Sequence, residues 1–157
     1  MVFMVRIISR LAITLILFVS NILAMAFAAE SLELLKITNI WARPANAGAN
    51  SAAYMKIENM SSEPVNIIAA SAWLVANNTE LHDSFLDNNI TKMRIVDNII
   101  IPARSIKEFA PGGLHVMLID LMRDLKLGDI IEIAIVTKQT KEPVIIKAVI
   151  ANGPDQL

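Results

Sequence analysis

His82, Met93, His115 and Met117 stand in the order H-x10-M-x21-H-x-M, and the two histidines are the only ones in the chain. Imidazole nitrogen and thioether sulfur are neutral donors of borderline-to-soft character. A four-ligand set of that kind suits the soft, monovalent Cu(I) ion better than zinc, calcium or magnesium. Four neutral ligands leave the site with the ion's own single charge and impose no square plane, and both properties favour Cu(I) over Cu(II). Protonated imidazole cannot coordinate whereas a thioether is unaffected by acid, so binding is expected to weaken as pH falls through the histidine range.

Taken singly, none of these residues supports a function. A lone methionine in a β protein is usually a gap-filler, and Met55, Met60 and Met122 are read as core or surface filler on that ground. A lone histidine is usually a partly exposed polar residue, which would describe His82 beside Asp83. Trp41 and Trp73 read as large core or edge residues. Met93 is different, because it lies between Lys92 and Arg94, where a half-exposed methionine forgoes burial unless it has another use. The joint pattern carries the reading.

Ligands so far apart in the chain need a scaffold to bring them together. After Glu30 the chain consists of short apolar or alternating runs separated by turn residues, which reads as all-β. The runs predict strands over Leu35–Ala42, Ala52–Asn59, Val65–Ala70, Ala72–Ala76, Glu80–Ser84, Thr91–Ile95, Ile99–Ile101, Ile106–Phe109, His115–Leu118, Ile130–Thr137 and Val144–Ile150. So many strands, about ten residues apart, suggest a β-sandwich or Greek-key barrel. Asp87-Asn88-Asn89 and Pro111-Gly112-Gly113 are turn compositions. Leu121–Leu125 is open between a helical turn and an extended connection, and Asn152–Leu157 reads as a frayed tail. Residues two apart on a strand share a face, so if Val116 packs inward, His115 and Met117 project together from the other side. His82 ends up on a second strand, followed by a polar loop reaching Met93.

Residues 1–29 contain Arg6 and Arg10, no acid, an apolar run from Leu11, and alternating small residues up to Ala29. That is the order of a secretory signal peptide, with an uncleaved anchor as the competing reading because the run nearly spans a bilayer. Residues 30–157 are then one exported domain, long enough for a single core. Removing the leader leaves 12 basic against 15 acidic residues, a net charge of −3, and no basic field for nucleic acid. The chain has no cysteine, which excludes disulfides, thiolate zinc sites and a blue-copper Cys ligand. In an oxidising compartment thioether and imidazole also escape the disulfide pairing that can disable a Cys site.

Beyond the four positions, the chain resembles the periplasmic copper chaperone family known as PCuAC-like across nearly all of the exported domain. Ile40-Trp41-Ala42-Arg43-Pro44 is similar to its opening strand, and Asn50 to Asn59 to its second. Glu80-Leu81-His82, Met93-Arg94-Ile95-Val96 and Pro111-Gly112-Gly113-Leu114-His115-Val116-Met117-Leu118 match the ligand-bearing segments, and Leu125–Asp129 a late turn. The resemblance implies a cupredoxin-like β fold with Cu(I) ligands at His82, Met93, His115 and Met117. It also implies delivery of copper for assembly of the dinuclear centre of cytochrome c oxidase, to subunit II, alone or with a Sco-type thioredoxin-fold protein. Many relatives carry extra Met or His just after the first His and in a tail. This chain has Asp83-Ser84-Phe85 and no such tail, so one site is carried over rather than a second copper.

The expected protein is therefore a monomeric periplasmic copper chaperone, not an enzyme, whose mature domain is not inserted in the membrane. No nucleophile constellation or Gly-rich phosphate loop argues for catalysis, and two histidines are few for an oxidising copper enzyme. The rival readings are a β-sandwich adhesion or assembly module in which the four residues are incidental, and a general copper buffer using the same ligands.

Overall fold

A computed structural model describes residues 34–156; the predicted leader over residues 1–29 lies outside them. Ten strands follow in order: β1 (Leu35–Ala42), β2 (Ser51–Asn59), β3 (Val65–Ser71), β4 (Ala76–Asp87), β5 (Ile90–Ile95), β6 (Ile99–Ile101), β7 (Ile106–Phe109), β8 (Leu114–Leu121), β9 (Ile130–Thr137) and β10 (Val144–Ile150). They form one mixed sheet in the order β5-β4-β8-β2-β1-β10-β9-β3-β6, with β7 paired to β2. The β1–β10 pair is parallel and the other pairs are antiparallel. Among the described residues there is no α-helix, and no helix is long and apolar enough to cross a membrane.

The sheet turns over on itself around one core, to which every strand except β5 contributes. Ile57, Phe109, Leu118, Ile133 and Ile135 are among its fully buried side chains. Each such burial contributes roughly 1.5–3 kcal/mol relative to exposure, and the β-branched residues suit a pleated surface. β5 is exposed along its whole length and lies at the free edge beyond β4.

Two local devices control what reaches the outer face of this sheet. In β1 the register slips between Thr38, opposite Lys56, and Trp41, opposite Tyr54. One extra residue is accommodated there, and Asn39 takes a left-handed φ of 53°. Such a bulge reverses the alternation of faces. Without it Trp41 would continue the inward side of Leu35 and Ile37; with it Ala42 packs in the core and Trp41 stacks outside with Tyr54. At the other device, Asp87 pairs with Ile90 around Asn88 and Asn89, whose φ values of 51° and 62° are both positive. That is a two-residue type I′ hairpin, and asparagine tolerates φ > 0 better than most residues.

The strand predicted over Ala72–Ala76 is a turn instead. The amides of Val75 and Ala76 both donate to the Ala72 carbonyl, at 2.9 and 3.0 Å, and the Ala72 amide donates to Thr79 Oγ1 at 3.1 Å. These contacts leave Trp73 and Leu74 exposed; an apolar run did not mean a strand once its backbone groups found partners elsewhere. The segment predicted as Glu80–Ser84 is the middle of the twelve-residue β4, and His115–Leu118 the start of the longer β8. Leu121–Leu125 forms no helical turn: Leu121 ends β8, bends follow at Met122 and Arg123, and Leu125 bridges to Ala45. Within the predicted tail, a 3-10 turn spans Pro154–Gln156, and the Asn152 amide donates to Gln156 Oε1 at 2.9 Å.

Candidate metal centre

β4 and β8 run antiparallel in a register that sets His82 directly opposite His115 and Glu80 opposite Met117. Leu81, Val116 and Leu118 fill the core, so period-two alternation sends His82, His115 and Met117 to the outer face. β5 lies beside β4 with Met93 opposite Ser84, which puts Met93 on that same face. On the far side of β8, Ala52 of β2 stands opposite Met117. Three adjacent strands thus present all four candidate donors on one surface.

The two imidazole rings lie 5.6 Å apart, centre to centre, inclined at 59°. With metal–nitrogen bonds of about 2 Å, two imidazoles sharing one ion stand roughly 5–6 Å apart, so the rings fit a shared ion. Met93, His115 and Met117 line one cavity of about 340 Å³, together with Arg43, Tyr54 and Ser84. His82 is off that wall but against it through the His115 ring. Among the described residues no group of three or more His, Asp or Glu side chains is placed to hold a metal, so the donors gathered here are nitrogen and sulfur, not a carboxylate cage.

Exposure is graded across the four. Met93 is 51% exposed on the edge strand, His82 and Met117 are intermediate, and His115 is 3% exposed. Behind His115 the Tyr54 ring lies 6.2 Å away and Trp41 stacks 4.6 Å from Tyr54, with the Arg43 guanidinium 5.5 Å over the Tyr54 ring. This wall dehydrates the site. Burial lowers the His115 pKa; the Gly113 carbonyl, accepting from Nδ1–H at 2.9 Å, partly offsets it, and His82 and Arg43 lower it further. The imidazole is therefore held neutral, the form that coordinates. Burial likewise raises the Tyr54 pKa and keeps the phenol protonated.

His82 donates from Nε2–H to Glu80 Oε2 at 2.7 Å, while its Nδ1 is buried and has no hydrogen-bond partner among the described residues. A buried acceptor left unpaired costs about 1–3 kcal/mol, and a metal would satisfy it. The donor set and this orphaned nitrogen both fit a soft monovalent ion.

Sequence reasoning had named the four donors but not the groups around them. Glu80 was legible, since a residue two before His82 on a strand shares its face. Trp41 was not, because a single asparagine inside a strand-like run is too weak a signal to place a bulge. Met55 packs in the core and Met122 on the surface, both within their reading as core or surface filler, whereas Trp73, read as a core or edge residue, is exposed in the turn before β4.

An all-β cupredoxin-like sheet with this arrangement is the fold of the PCuAC domains. The copper-bound PCuAC domain from PmoF2 matches over 74% of this chain and 92% of its own, with a TM-score of 0.61 at 24% identity. The solution structure of the Cu(I) form of DR1885 from Deinococcus radiodurans matches over 73% of this chain and 77% of its own, at 0.56 and 26%. The model of the family described as "Putative lipoprotein LpqE-like" matches residues 35–147, and the chain belongs to that family. The "Putative lipoprotein Lxx21020" of Leifsonia xyli is 28% identical over 101 residues, 64% of this chain and 60% of that protein. The "Uncharacterized protein RP573" of Rickettsia prowazekii is 31% identical over 94 residues, 57% and 51% respectively. The chain thus spans between half and three-fifths of the length of these curated relatives.

Proposed function

We propose that this protein is a copper chaperone of an exported compartment, the periplasm. It holds one Cu(I) between His82, Met93, His115 and Met117 and passes it on by ligand exchange. The observation that carries this reading is the register of β5, β4 and β8, which gathers two imidazoles and two thioethers on one face. The copper held in the Cu(I) form of DR1885 supports it, as does the lipoprotein description of the family for export.

Transfer follows from the exposure gradient. Among the described residues Met93 sits on a strand with no neighbour on its outer side, so an acceptor's ligand can replace its thioether first, while His115 keeps the ion from escaping. The ion is never free, because each leaving donor is exchanged for an entering one. The role is carriage, not catalysis. The acceptor implied by the family resemblance is subunit II of cytochrome c oxidase or a Sco-type thioredoxin-fold protein.

Anaerobic titration of the full chain with Cu(I), in competition with a chromophoric Cu(I) chelator, tests the site. One tight equivalent is expected, lost in both His115→Ala and Met117→Ala. Binding no stronger than that of an unrelated control protein would sink the reading and leave a β module whose His and Met are incidental.

A further inference from the structure

Asn78, Glu80 and His82 alternate along β4 and so share one face. Both oxygens of the Glu80 carboxylate are engaged. Oε1 accepts from Asn78 Nδ2 at 2.9 Å, and Oε2 accepts from His82 Nε2–H at 2.7 Å. A carboxylate that is ionised can only accept, so the proton of a neutral His82 must sit on Nε2 and the ring's lone pair on Nδ1, the buried nitrogen with no partner. At His115 the hydrogen bond runs to the other nitrogen. The Gly113 carbonyl accepts from Nδ1–H at 2.9 Å, which leaves the lone pair on Nε2. Two residues directly opposite each other in the sheet are thus set in opposite tautomers.

We propose that Glu80, itself braced by Asn78, is a positioning residue that holds His82 with its proton on Nε2 and Nδ1 as its metal donor, while Gly113 sets His115 to donate through Nε2. This rests on the copper reading of the site. The hydrogen bond restrains ring rotation as well as tautomer, because the imidazole is tied at one end to a carboxylate whose other oxygen Asn78 engages. Groups that orient a metal-binding imidazole in this manner change affinity by about 10- to 100-fold when removed. Glu80 also stands opposite Met117, so its negative charge lies beside the place where a cation would arrive.

The test uses the full chain labelled with 15N, observed without metal and then with Ag(I), a soft monovalent ion whose nuclear spin couples to a bonded nitrogen. In the metal-free protein the Nε2–H of His82 is expected as a slowly exchanging, downfield proton, absent in Glu80→Ala and retained in Glu80→Gln. With Ag(I), coupling is expected at His82 Nδ1 and His115 Nε2. Cu(I) affinity by chelator competition should fall 10- to 100-fold in Glu80→Ala and less in Glu80→Gln, with both variants keeping the wild-type circular dichroism spectrum.

Coupling at His82 Nε2 would overturn the proposal, as would an unchanged affinity in Glu80→Ala. Equal losses in the two variants would also overturn it, since they would make the Glu80 charge a direct contributor to binding. The persistence of the Nε2–H signal without Ag(I) coupling or Cu(I) binding would mark a failure of the copper reading itself, and the donor assignments would fall with it.

Discussion

His115 is the donor that the fold buries most deeply, and that burial makes it a source of pH-dependent stability even without metal. Its pKa lies below the ordinary 6.5, mainly through desolvation, with the Gly113 hydrogen bond opposing. Above pH 6.5 the imidazole is neutral in both folded and unfolded chains, and the contribution is fully present. As pH falls below 6.5 the unfolded chain takes up the proton first, so stability is lost until the folded pKa has been passed. Thermal melts of the metal-free protein should therefore show a falling Tm between about pH 7 and 5, and His115→Asn, which has no titrating ring, should flatten that slope. An identical slope in the variant would mean that other groups control it. At this scale the donor atoms were legible in the sequence, because residue type and spacing determine what can bind copper. The hydrogen bond choosing the ring nitrogen of His115 was not, since Gly113 acts through a backbone carbonyl common to every residue.

Among the elements, the β4–β5 hairpin governs how firmly Met93 is held. β5 adds nothing to the core and is attached through its pairing with β4, so the turn at Asn88-Asn89 has more influence than a surface turn usually has. Asn89→Val would force a β-branched side chain into φ near 62°, at a cost of about 1–2 kcal/mol. Asn89→Gly removes the steric restriction and supplies the Asn-Gly pair preferred in type I′ turns. Stopped-flow transfer of Cu(I) to a chelator should accordingly be several-fold faster in Asn89→Val than in wild type, and no faster in Asn89→Gly. Equal rates in all three would show that release does not begin at Met93. The strands β1, β6, β7, β9 and β10 were predicted with the bounds observed, because their runs alternate or are bounded by turn residues. The Ala72–Ala76 run misled because the bonds that close it come from Ala72's own carbonyl and from Thr79 in the following strand, neither of which hydrophobic patterning can indicate.

For the whole molecule, a ligand that binds the folded chain and not the unfolded one stabilises it by mass action. Cu(I) at one hundred times its Kd should contribute about 2.7 kcal/mol. For a domain of this size that corresponds to a Tm increase of roughly 10 °C, measurable by anaerobic calorimetry and expected to vanish in His115→Ala. All-β architecture was evident from the sequence, whereas the order of strands in the sheet depended on long-range pairings such as the parallel β1–β10 contact. The bulge in β1 gives the molecule an unequal tolerance for genetic change. Deleting Asn39 shortens the step from Leu35 to Trp41 from six residues to five, so regular alternation still sends Trp41 outward beside Tyr54 and Ala42 inward to the core. Straightening the bulge with its residue retained instead exchanges the two faces from that point onward, drives Trp41 toward the space that Ala42 fills, and removes the aromatic wall behind His115. A one-residue gap opened at Asn39 in a family alignment can therefore join proteins that present the same surface, whereas a gap elsewhere in β1 joins proteins that do not.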